Sequence, residues 1–201
     1  ENVARASQAV GARLIAISTD YVFRGDGKRP YREDDETRPQ TVYGQSKLEG
    51  ERAVLDCCAN ALIARVAWLY GPDGPSFFHT MVRLGQMAGD PLQVVEDQVG
   101  NPTSTLAVAA HLKHILDTDL RGVVHLTCEG EATWFDFTRA IFERKGLGRE
   151  VQPCTSDVYP RPAPRPANSR LEKSVLSKHG LPAMPHWQDA LDQFLRLYPK
   201  G

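Results

Sequence analysis

Two apolar runs separated by a helical segment constrain the fold of this chain more than any other feature. Residues 14–17 form a continuous apolar run, and residues 61–70 form a second run that Gly71 and Pro72 end. Strands with apolar side chains at nearly every position are typical of parallel sheets covered on both faces. A strand, a helix and a second strand in this order give two parallel strands. The sequence therefore predicts an α/β fold built on a parallel sheet.

The helix between these runs carries Tyr43 and Lys47. Residues four apart lie on one face of a helix, so the phenol and the ammonium are predicted to lie side by side. A nearby positive charge favours the phenolate and lowers the tyrosine pKa from its free value of ~10, which suits general acid–base catalysis. Alone, a Tyr-x-x-x-Lys spacing is more often part of an ordinary amphipathic helix.

Two hydroxyls give this pair a chemical context. Ser18 and Thr19 directly follow the first apolar run, at the predicted carboxyl end of a strand, where open α/β sheets bind ligands. A hydroxyl at this point can donate a hydrogen bond to a carbonyl group that is being reduced. The order hydroxyl, tyrosine, lysine is that of the short-chain dehydrogenases/reductases.

A closer resemblance rests on six segments that follow one another along nearly the whole chain. Together they resemble the dTDP-4-dehydrorhamnose reductase family, which belongs to the extended short-chain dehydrogenases/reductases. The segments are residues 18–23 (STDYVF), 30–35 (PYREDD), 42–51 (VYGQSKLEGE), 68–71 (WLYG), 97–103 (DQVGNPT) and 165–171 (RPANSRL).

The resemblance implies a Rossmann-like parallel sheet and an oxidoreductase of dTDP-rhamnose biosynthesis that uses NADPH or NADH. It implies reduction of the C4 keto group of a nucleotide-linked 4-keto-6-deoxysugar, with Tyr43 protonating the oxygen and Thr19 polarising it. Lys47 is implied to lower the tyrosine pKa and to hold the nicotinamide ribose. The implied cofactor contacts are Ile17, Ser18, Tyr43, Lys47 and Ala67. The implied substrate contacts are Thr19, Asp20, Tyr21, Trp68, Asn101, Pro102, Thr103 and Arg165, with Arg165 facing a pyrophosphate oxygen.

The glycine-rich turn that cradles a cofactor pyrophosphate is not found in the sequence. Gly25 and Gly27 are the nearest candidates, and they lie in a polar loop rather than between a strand and a helix. We therefore expect the chain to correspond to the C-terminal portion of a reductase, with an N-terminal segment missing. Residues 1–201 alone are expected to bind NADPH weakly, to show no reductase activity, and to associate through an open sheet edge.

Two alternatives stay open at this point. The regulatory beta subunit of methionine adenosyltransferase has the same scaffold and keeps Tyr-x-x-x-Lys, so the chain could be a non-catalytic homologue. Residues 68–71 and 97–103 favour the reductase. The second alternative is an inactive fragment.

The domain organisation is predicted as two parts that interleave in sequence. Residues 1–75 are assigned to the C-terminal half of a dinucleotide-binding domain, and residues 76–201 mainly to a smaller mixed α/β substrate lobe. Helices are predicted at about residues 2–10, 77–87, 104–116, 133–145, 171–179 and 186–197. Strands are predicted at residues 92–95, 122–127 and 151–154.

Composition excludes several classes of protein. Lys and Arg number 24 against 25 Asp and Glu, so the net charge of −1 gives no electrostatic reason to bind nucleic acid or an anionic membrane. No apolar run is long enough to span a bilayer and no signal-peptide pattern is present, so a cytoplasmic protein is expected. The resemblance also allows a homodimer.

Three remaining features have structural interpretations. The four cysteines, Cys57, Cys58, Cys128 and Cys154, have neither Cys-x-x-Cys nor zinc spacing and are expected to be reduced. His111 and His114 lie three apart without a third ligand, so a solvated helix face is predicted and no metal site. Residues 159–166 have proline at every second position and are predicted to form an extended loop at the nucleotide-sugar pocket. A ligand for an aromatic-grooved partner is the less favoured interpretation.

Overall fold

A computed structural model describes residues 1–160 and 162–199 of the chain. Its central element is a three-stranded parallel sheet, in agreement with the predicted fold class. Arg161, within the proline-rich stretch, lies outside the described residues.

The helices flank this sheet and fill the space beyond it. In chain order they are α1 (Asn2–Ala9), α2 (Val42–Cys57), α3 (Phe77–Gln86), α4 (Thr105–Leu116), α5 (Trp134–Lys145), α6 (Ser174–Lys178) and α7 (Trp187–Leu197). Two short 3₁₀ turns cover Asp20–Val22 and Ser156–Val158.

The strands form one larger sheet and three small pairs. In chain order they are β1 (Leu14–Thr19), β2 (Ala61–Val66), β3 (Leu69–Tyr70), β4 (Leu92–Val95), β5 (Val99–Gly100), β6 (Thr103–Ser104), β7 (Gly122–His125), β8 (Ala132–Thr133) and β9 (Val151–Cys154). The sheet order is β1-β2-β7, and the pairs are β3-β6, β4-β9 and β5-β8.

The register of the main sheet places two predicted site segments side by side. In the parallel pairing of β1 with β2, Leu14 lies opposite Ala61 and Thr19 lies opposite Val66. The two carboxyl ends therefore meet at one edge, where β1 leads into Asp20 and β2 into Ala67. Strand β7, from the later part of the chain, pairs with β2 and completes the sheet. The domain boundary at residue 75 stays a prediction.

The second apolar run is not one strand, as predicted, but two. β2 ends at Val66, and β3 pairs with β6 outside the main sheet. Between them Trp68 has a φ of 48°, a left-handed conformation that a bulky residue rarely adopts. The chain leaves the main sheet at Trp68. The apolar pattern of residues 61–70 does not show this change in backbone direction, because the residues on both sides of it are apolar.

The residues that the sequence suggests as helix caps begin and end helices in the structure. The Ser104 side chain accepts a hydrogen bond from the Leu106 N–H and begins α4, and Thr133 with Asp136 forms a capping box at α5. Gly146 ends α5 in the left-handed conformation with a φ of 62°. The predicted helix at 171–179 is shorter, and the predicted strand at 122–127 ends at His125.

The largest hydrophobic core lies between the sheet and the later helices. Its centre is aromatic: the ring of Tyr70 lies 5.3 Å from that of Phe137 and 5.3 Å from that of Phe194. A smaller cluster of Val22, Phe23, Leu48, Ala67 and Leu171 lies under the sheet edge described above. No helix among the described residues is both long and apolar enough to cross a membrane.

Candidate active site

The hydroxyl of Thr19, at the carboxyl end of β1, takes part in two hydrogen bonds. The Tyr21 N–H donates to Thr19 Oγ1 at 3.3 Å, and Thr19 Oγ1 donates to Asp20 Oδ1 at 3.0 Å. These contacts close the 3₁₀ turn at Asp20–Val22 directly after the strand. Thr19 and Asp20 are both buried, so the turn fixes the direction of each side chain.

Helix α2 begins directly over this turn. The Thr41 side chain accepts a hydrogen bond from the Gly44 N–H at 3.0 Å and so begins the helix one residue before Val42. A Cβ at Gly44 would overlap the Tyr21 carbonyl oxygen, so only glycine lets the helix approach the turn this closely. The Tyr-Gly pair of the sequence therefore serves to place Tyr43 beside the end of β1.

Tyr43 and Lys47 lie where the helical spacing predicts. Tyr43 is 53% exposed, and its ring meets that of Tyr21 edge-on at 5.5 Å. Lys47 Nζ donates to the Ile17 carbonyl oxygen at 2.8 Å and so links α2 to β1. This hydrogen bond joins residues that are 30 positions apart in the sequence, and it holds the Lys47 ammonium at the sheet edge.

A cavity of about 500 Å³ joins these side chains. It is lined by residues from β1, α2 and the end of β2, and the fold brings together there all five side chains that were predicted to contact the cofactor, Ile17, Ser18, Tyr43, Lys47 and Ala67. Four of the predicted substrate contacts, Thr19, Asp20, Tyr21 and Trp68, line the same cavity, together with Thr41, Val66, Leu69 and Ala163.

Two buried polar atoms in this cavity have no partner among the described residues. They are Ser18 Oγ and Asp20 Oδ2. Buried polar groups are nearly always hydrogen-bonded, so both atoms are available to a bound ligand or to solvent. Burial raises the pKa of Asp20 to about 6, and the hydroxyls of Ser169 and Thr19 partly oppose this shift.

A second cavity of about 560 Å³ lies on the other side of Trp68. Its walls are aromatic and apolar, and a few polar groups converge on it. Trp68 and Tyr21 line both cavities. Other walls of the larger cavity are Phe77, Met81, Val94, Gln98, Trp134, Ser156, Tyr159, Arg165 and Ser169.

The position of Trp68 depends on a stack and on a glycine. Its indole lies parallel to that of Trp134, with the ring centroids 3.4 Å apart and an angle of 8° between the planes. A Cβ at Gly100 would also overlap the Trp68 ring. Trp134 Nε1 donates to Gln98 Oε1 at 3.1 Å, and Gln98 Nε2 donates to Ser156 Oγ at 2.8 Å. This chain of contacts fixes the wall between the two cavities.

Arg165, predicted to face a pyrophosphate, lies beside the larger cavity and beside a smaller one of about 270 Å³. Burial and the Asp20 carboxylate raise the pKa of Tyr21, while the charge of Arg165 opposes this shift. The predicted loop thus brings a cation to the edge of the larger cavity.

Asn101, Pro102 and Thr103 lie elsewhere. Asn101 Nδ2 donates to the Gly130 carbonyl oxygen at 2.5 Å and Asn101 Oδ1 accepts from the Leu171 N–H at 2.9 Å. Thr103 is fully buried, donates to the Asn101 carbonyl oxygen at 2.8 Å and accepts from the Cys128 N–H at 3.2 Å. All three are buried and line neither of the two larger cavities, so this turn joins segments of the fold in the structure.

Several residues of the cavity walls were not found from the sequence. Gln98 lines the larger cavity and Gly100 lies against the ring of Trp68; both belong to the quoted 97–103 segment, but nothing local distinguishes them from Asn101. Phe77 and Trp134 carry only an ordinary amphipathic pattern. Ser156 follows a strand in a polar turn, and its bonds to Asp97 Oδ1 and Gln98 exist only in the folded chain.

The histidine prediction needs a correction. His111 is buried rather than solvated, and its desolvation and the neighbouring His114 lower its pKa. Within residues 1–160 and 162–199, no group of three or more His, Cys, Asp or Glu side chains could hold a metal ion.

Comparison with known proteins identifies the family of this chain. The model of the RmlD substrate binding domain matches residues 1–199. The dTDP-4-dehydrorhamnose reductase of Mycolicibacterium smegmatis is 46% identical over 195 residues, which are 94% of this chain and 59% of the relative. This chain thus spans about three fifths of that relative's length.

Solved structures give the same result. A dTDP-4-dehydrorhamnose reductase from Clostridium acetobutylicum superposes with a TM-score of 0.95 at 42% identity, over 98% of this chain and 70% of that one. The enzyme from Bacillus anthracis, solved in complex with NADP, superposes with a TM-score of 0.93 at 37% identity, over 96% of this chain and 69% of that one. The chain belongs to the dTDP-4-dehydrorhamnose reductase family, whose RmlD substrate binding domain it matches.

Proposed function

We propose that the protein reduces the C4 keto group of a nucleotide-linked 4-keto-6-deoxysugar with NADPH or NADH as the reductant. The conversion of dTDP-4-dehydrorhamnose to dTDP-rhamnose, a step of deoxysugar biosynthesis, is the reaction of this type that fits the family. The observation that carries the proposal is the convergence of Thr19, Tyr43 and Lys47 on one cavity at the carboxyl ends of β1 and β2.

The cavity of about 500 Å³ at the carboxyl ends of β1 and β2 suits the nicotinamide end of the cofactor. Ser18 Oγ offers a buried hydroxyl without a partner, and Lys47 is held at the Ile17 carbonyl, where it can bind a ribose hydroxyl. Ala67 adds an apolar wall for the ring. When bound, the nicotinamide supplies the hydride, and the protein supplies position and protons. The NADP that is bound to the Bacillus anthracis relative supports this assignment.

Three residues act on the keto group in this proposal. Tyr43 is more than half exposed, faces the cavity and protonates the oxygen as the carbonyl carbon is reduced. Thr19 donates a hydrogen bond to the same oxygen and stabilises the charge that develops there. Lys47 holds the ribose and so fixes the distance between the reacting groups.

We place the rest of the substrate across the Trp68 wall. Tyr21 and Trp68 line both cavities. If the sugar lies beside Thr19, the nucleotide attached to it can therefore extend past these two side chains into the larger cavity. The Arg165 guanidinium lies beside that path and can pair with a pyrophosphate oxygen. The substrate contacts we propose are thus Thr19, Tyr21, Trp68 and Arg165. A homodimer and a cytoplasmic location stay predictions from the sequence.

The direct test is turnover by the intact protein as its source organism makes it. Incubation with NADPH and dTDP-4-dehydrorhamnose, followed by loss of NADPH absorbance and mass spectrometry of the sugar, is expected to give a product reduced at C4. Omission of the sugar is the control. Saturable binding of NADPH and sugar nucleotide without product would contradict the proposal and favour a regulatory homologue.

A further inference from the structure

The hydroxyl of Thr19 is not free to act on a substrate in the arrangement described. A hydroxyl has one hydrogen and two lone pairs. One lone pair of Thr19 Oγ1 accepts the Tyr21 N–H at 3.3 Å, and the hydrogen is directed to Asp20 Oδ1 at 3.0 Å. As long as Asp20 is an acceptor, Thr19 cannot donate to a keto oxygen in the cavity.

Asp20 is a carboxyl group for which both protonation states are accessible. It is only 5% exposed, and no Lys or Arg forms an ion pair with it among the described residues. Among the described residues no donor forms a hydrogen bond of good geometry with its Oδ2, although the Ser169 hydroxyl is near enough to lower the pKa of Asp20 in part. A carboxylate with a desolvated, unpartnered oxygen is costly, and protonation removes that cost.

The groups around Asp20 come from three elements. Thr19 ends β1, Tyr21 shares the 3₁₀ turn, and the Ser169 hydroxyl approaches from the 165–171 segment. Tyr43 and Lys47 of α2 line the same cavity, and Arg165 lies next to Tyr21. Burial outweighs the stabilising hydroxyls, and the pKa of Asp20 is raised to about 6, within the range in which enzymes work.

We propose that Asp20 is a positioning residue whose protonation releases the Thr19 hydroxyl to the substrate. A protonated Asp20 donates to the second lone pair of Thr19 Oγ1, across the same 3.0 Å contact. The Thr19 hydrogen is then free to point into the cavity and to donate to the keto oxygen. The inference rests on the proposed function, and it adds the condition under which Thr19 can take part.

The expected signature is a pH dependence that requires both residues. As the pH rises through the pKa of Asp20, the carboxylate recaptures the Thr19 hydroxyl and kcat falls. Loss of one donor to a developing oxyanion typically costs about 100- to 1,000-fold in kcat, so the fall in kcat is at most about 1,000-fold. Asp20→Asn keeps the shape and offers an N–H to Thr19 at every pH, so its kcat should not fall over the same range and should exceed that of the wild type at alkaline pH.

The experiment compares kcat from about pH 4 to pH 8, roughly two units to either side of the Asp20 pKa of about 6, for the intact wild-type protein, Asp20→Asn, Thr19→Val and the double variant. Asp56→Asn is the matched control, because Asp56 is exposed on α2 and lines neither cavity. In the Thr19→Val background, Asp20→Asn should leave the pH profile unchanged. The inference would be overturned if Asp20→Asn kept the wild-type dependence of kcat on pH, or if it lowered kcat by the same factor at every pH.

An infrared titration separates this inference from the proposed function. The carboxyl band that disappears in Asp20→Asn identifies Asp20 in the ligand-free protein. Its midpoint is expected to shift in Thr19→Val, because the contact with the hydroxyl is lost. If the intact protein has no reductase activity, the proposed function fails while this shift still supports the coupling; an unshifted midpoint overturns the coupling itself.

Discussion

The indole of Trp68 lies against the backbone of Gly100 so closely that a Cβ at residue 100 would overlap the ring. Trp68 comes from the break between β2 and β3, and Gly100 ends β5, so two distant segments meet at this contact. The indole also stacks on that of Trp134. The wall between the two cavities is therefore fixed by two separate contacts.

Gly100→Ala is expected to displace the Trp68 ring. Overpacking of this kind typically costs about 1–3 kcal/mol of stability. The displaced indole should also raise KM for the sugar nucleotide more than it lowers kcat, because Trp68 lines both cavities without bearing the reacting atoms. Tryptophan fluorescence, thermal unfolding and steady-state kinetics report the three effects.

Gly50→Ala is the matched control for that substitution. Gly50 lies in α2, and an added Cβ there meets no atom within 4 Å. Alanine in a helix is favoured over glycine by about 1 kcal/mol, so this variant should be as stable as the wild type or more stable. If Gly100→Ala behaved like Gly50→Ala, the close contact with Trp68 would not exist in solution.

The buried ion pair of Arg65 with Glu51 should be costly to break. Arg65 Nε and Nη2 donate to the two Glu51 oxygens at 2.9 and 2.7 Å, and both side chains are at most 5% exposed. Arg65→Met leaves Glu51 buried without its partner, which typically destabilises a protein by about 3–5 kcal/mol. Denaturant unfolding should show this loss, and a second change, Glu51→Gln, should restore part of it. Equal stability of Arg65→Met and the wild type would contradict the buried pairing.

His125 should make the stability depend on pH. Its Nδ1 lies 2.8 Å from the Glu172 carbonyl oxygen and its Nε2 has no partner in the part of the chain that the structure describes, so the neutral ring donates to that oxygen from Nδ1. Burial outweighs the attraction of Glu33 and lowers the pKa of His125 from 6.5 to about 4. Between these values the unfolded chain binds the proton and the folded chain does not, so stability falls as the pH falls, by up to about 1.4 kcal/mol per pH unit.

Asp20 makes the stability of the fold depend on pH in the opposite direction. Its pKa is raised from 3.8 to about 6, so the folded protein keeps this proton where the unfolded chain releases it, and its contribution grows as the pH falls through that window. His125→Asn keeps Asp20 and a donor near the Nδ1 position. The difference in unfolding free energy between His125→Asn and the wild type therefore isolates His125, and it should change between about pH 4 and pH 6.5. A difference that is constant over this range would contradict a buried neutral His125.

The parts of the fold that depend on local patterns were predictable from the sequence. The apolar run of β1, the Thr133 capping box and the Gly146 end of α5 each involve residues within a few positions of one another. Tyr43 and Lys47 share a face for the same reason, since helical spacing alone brings them together.

The remaining features depend on partners that are distant in sequence. The break at Trp68 places an aromatic residue in a left-handed conformation, and its supports, Gly100 and Trp134, lie far along the chain. Asn101 is tied to Gly130 and Leu171, which a reading of the 97–103 turn does not reveal. A pattern in one segment contains no information on which other segment will satisfy its polar groups.

Lys47→Met tests the link between α2 and β1. The change removes the donor to the Ile17 carbonyl oxygen and the group proposed to hold the ribose. We expect weaker binding of NADPH together with slower turnover, measured by fluorescence titration and by steady-state assay. If only one of the two quantities changed, Lys47 would not have the dual role proposed here.

Turnover by Tyr43→Phe tests the central claim most directly. The variant keeps the ring that meets Tyr21 edge-on and removes only the hydroxyl that donates the proton. Proton transfer of this kind typically contributes about 100- to 10,000-fold, so kcat for the 4-keto sugar should fall by that order while the affinity for NADPH changes little. Tyr198→Phe, at the end of α7 and outside both cavities, is the control and should keep full activity. A Tyr43→Phe protein with the turnover of the wild type would show that Tyr43 is not the acid and would contradict the account.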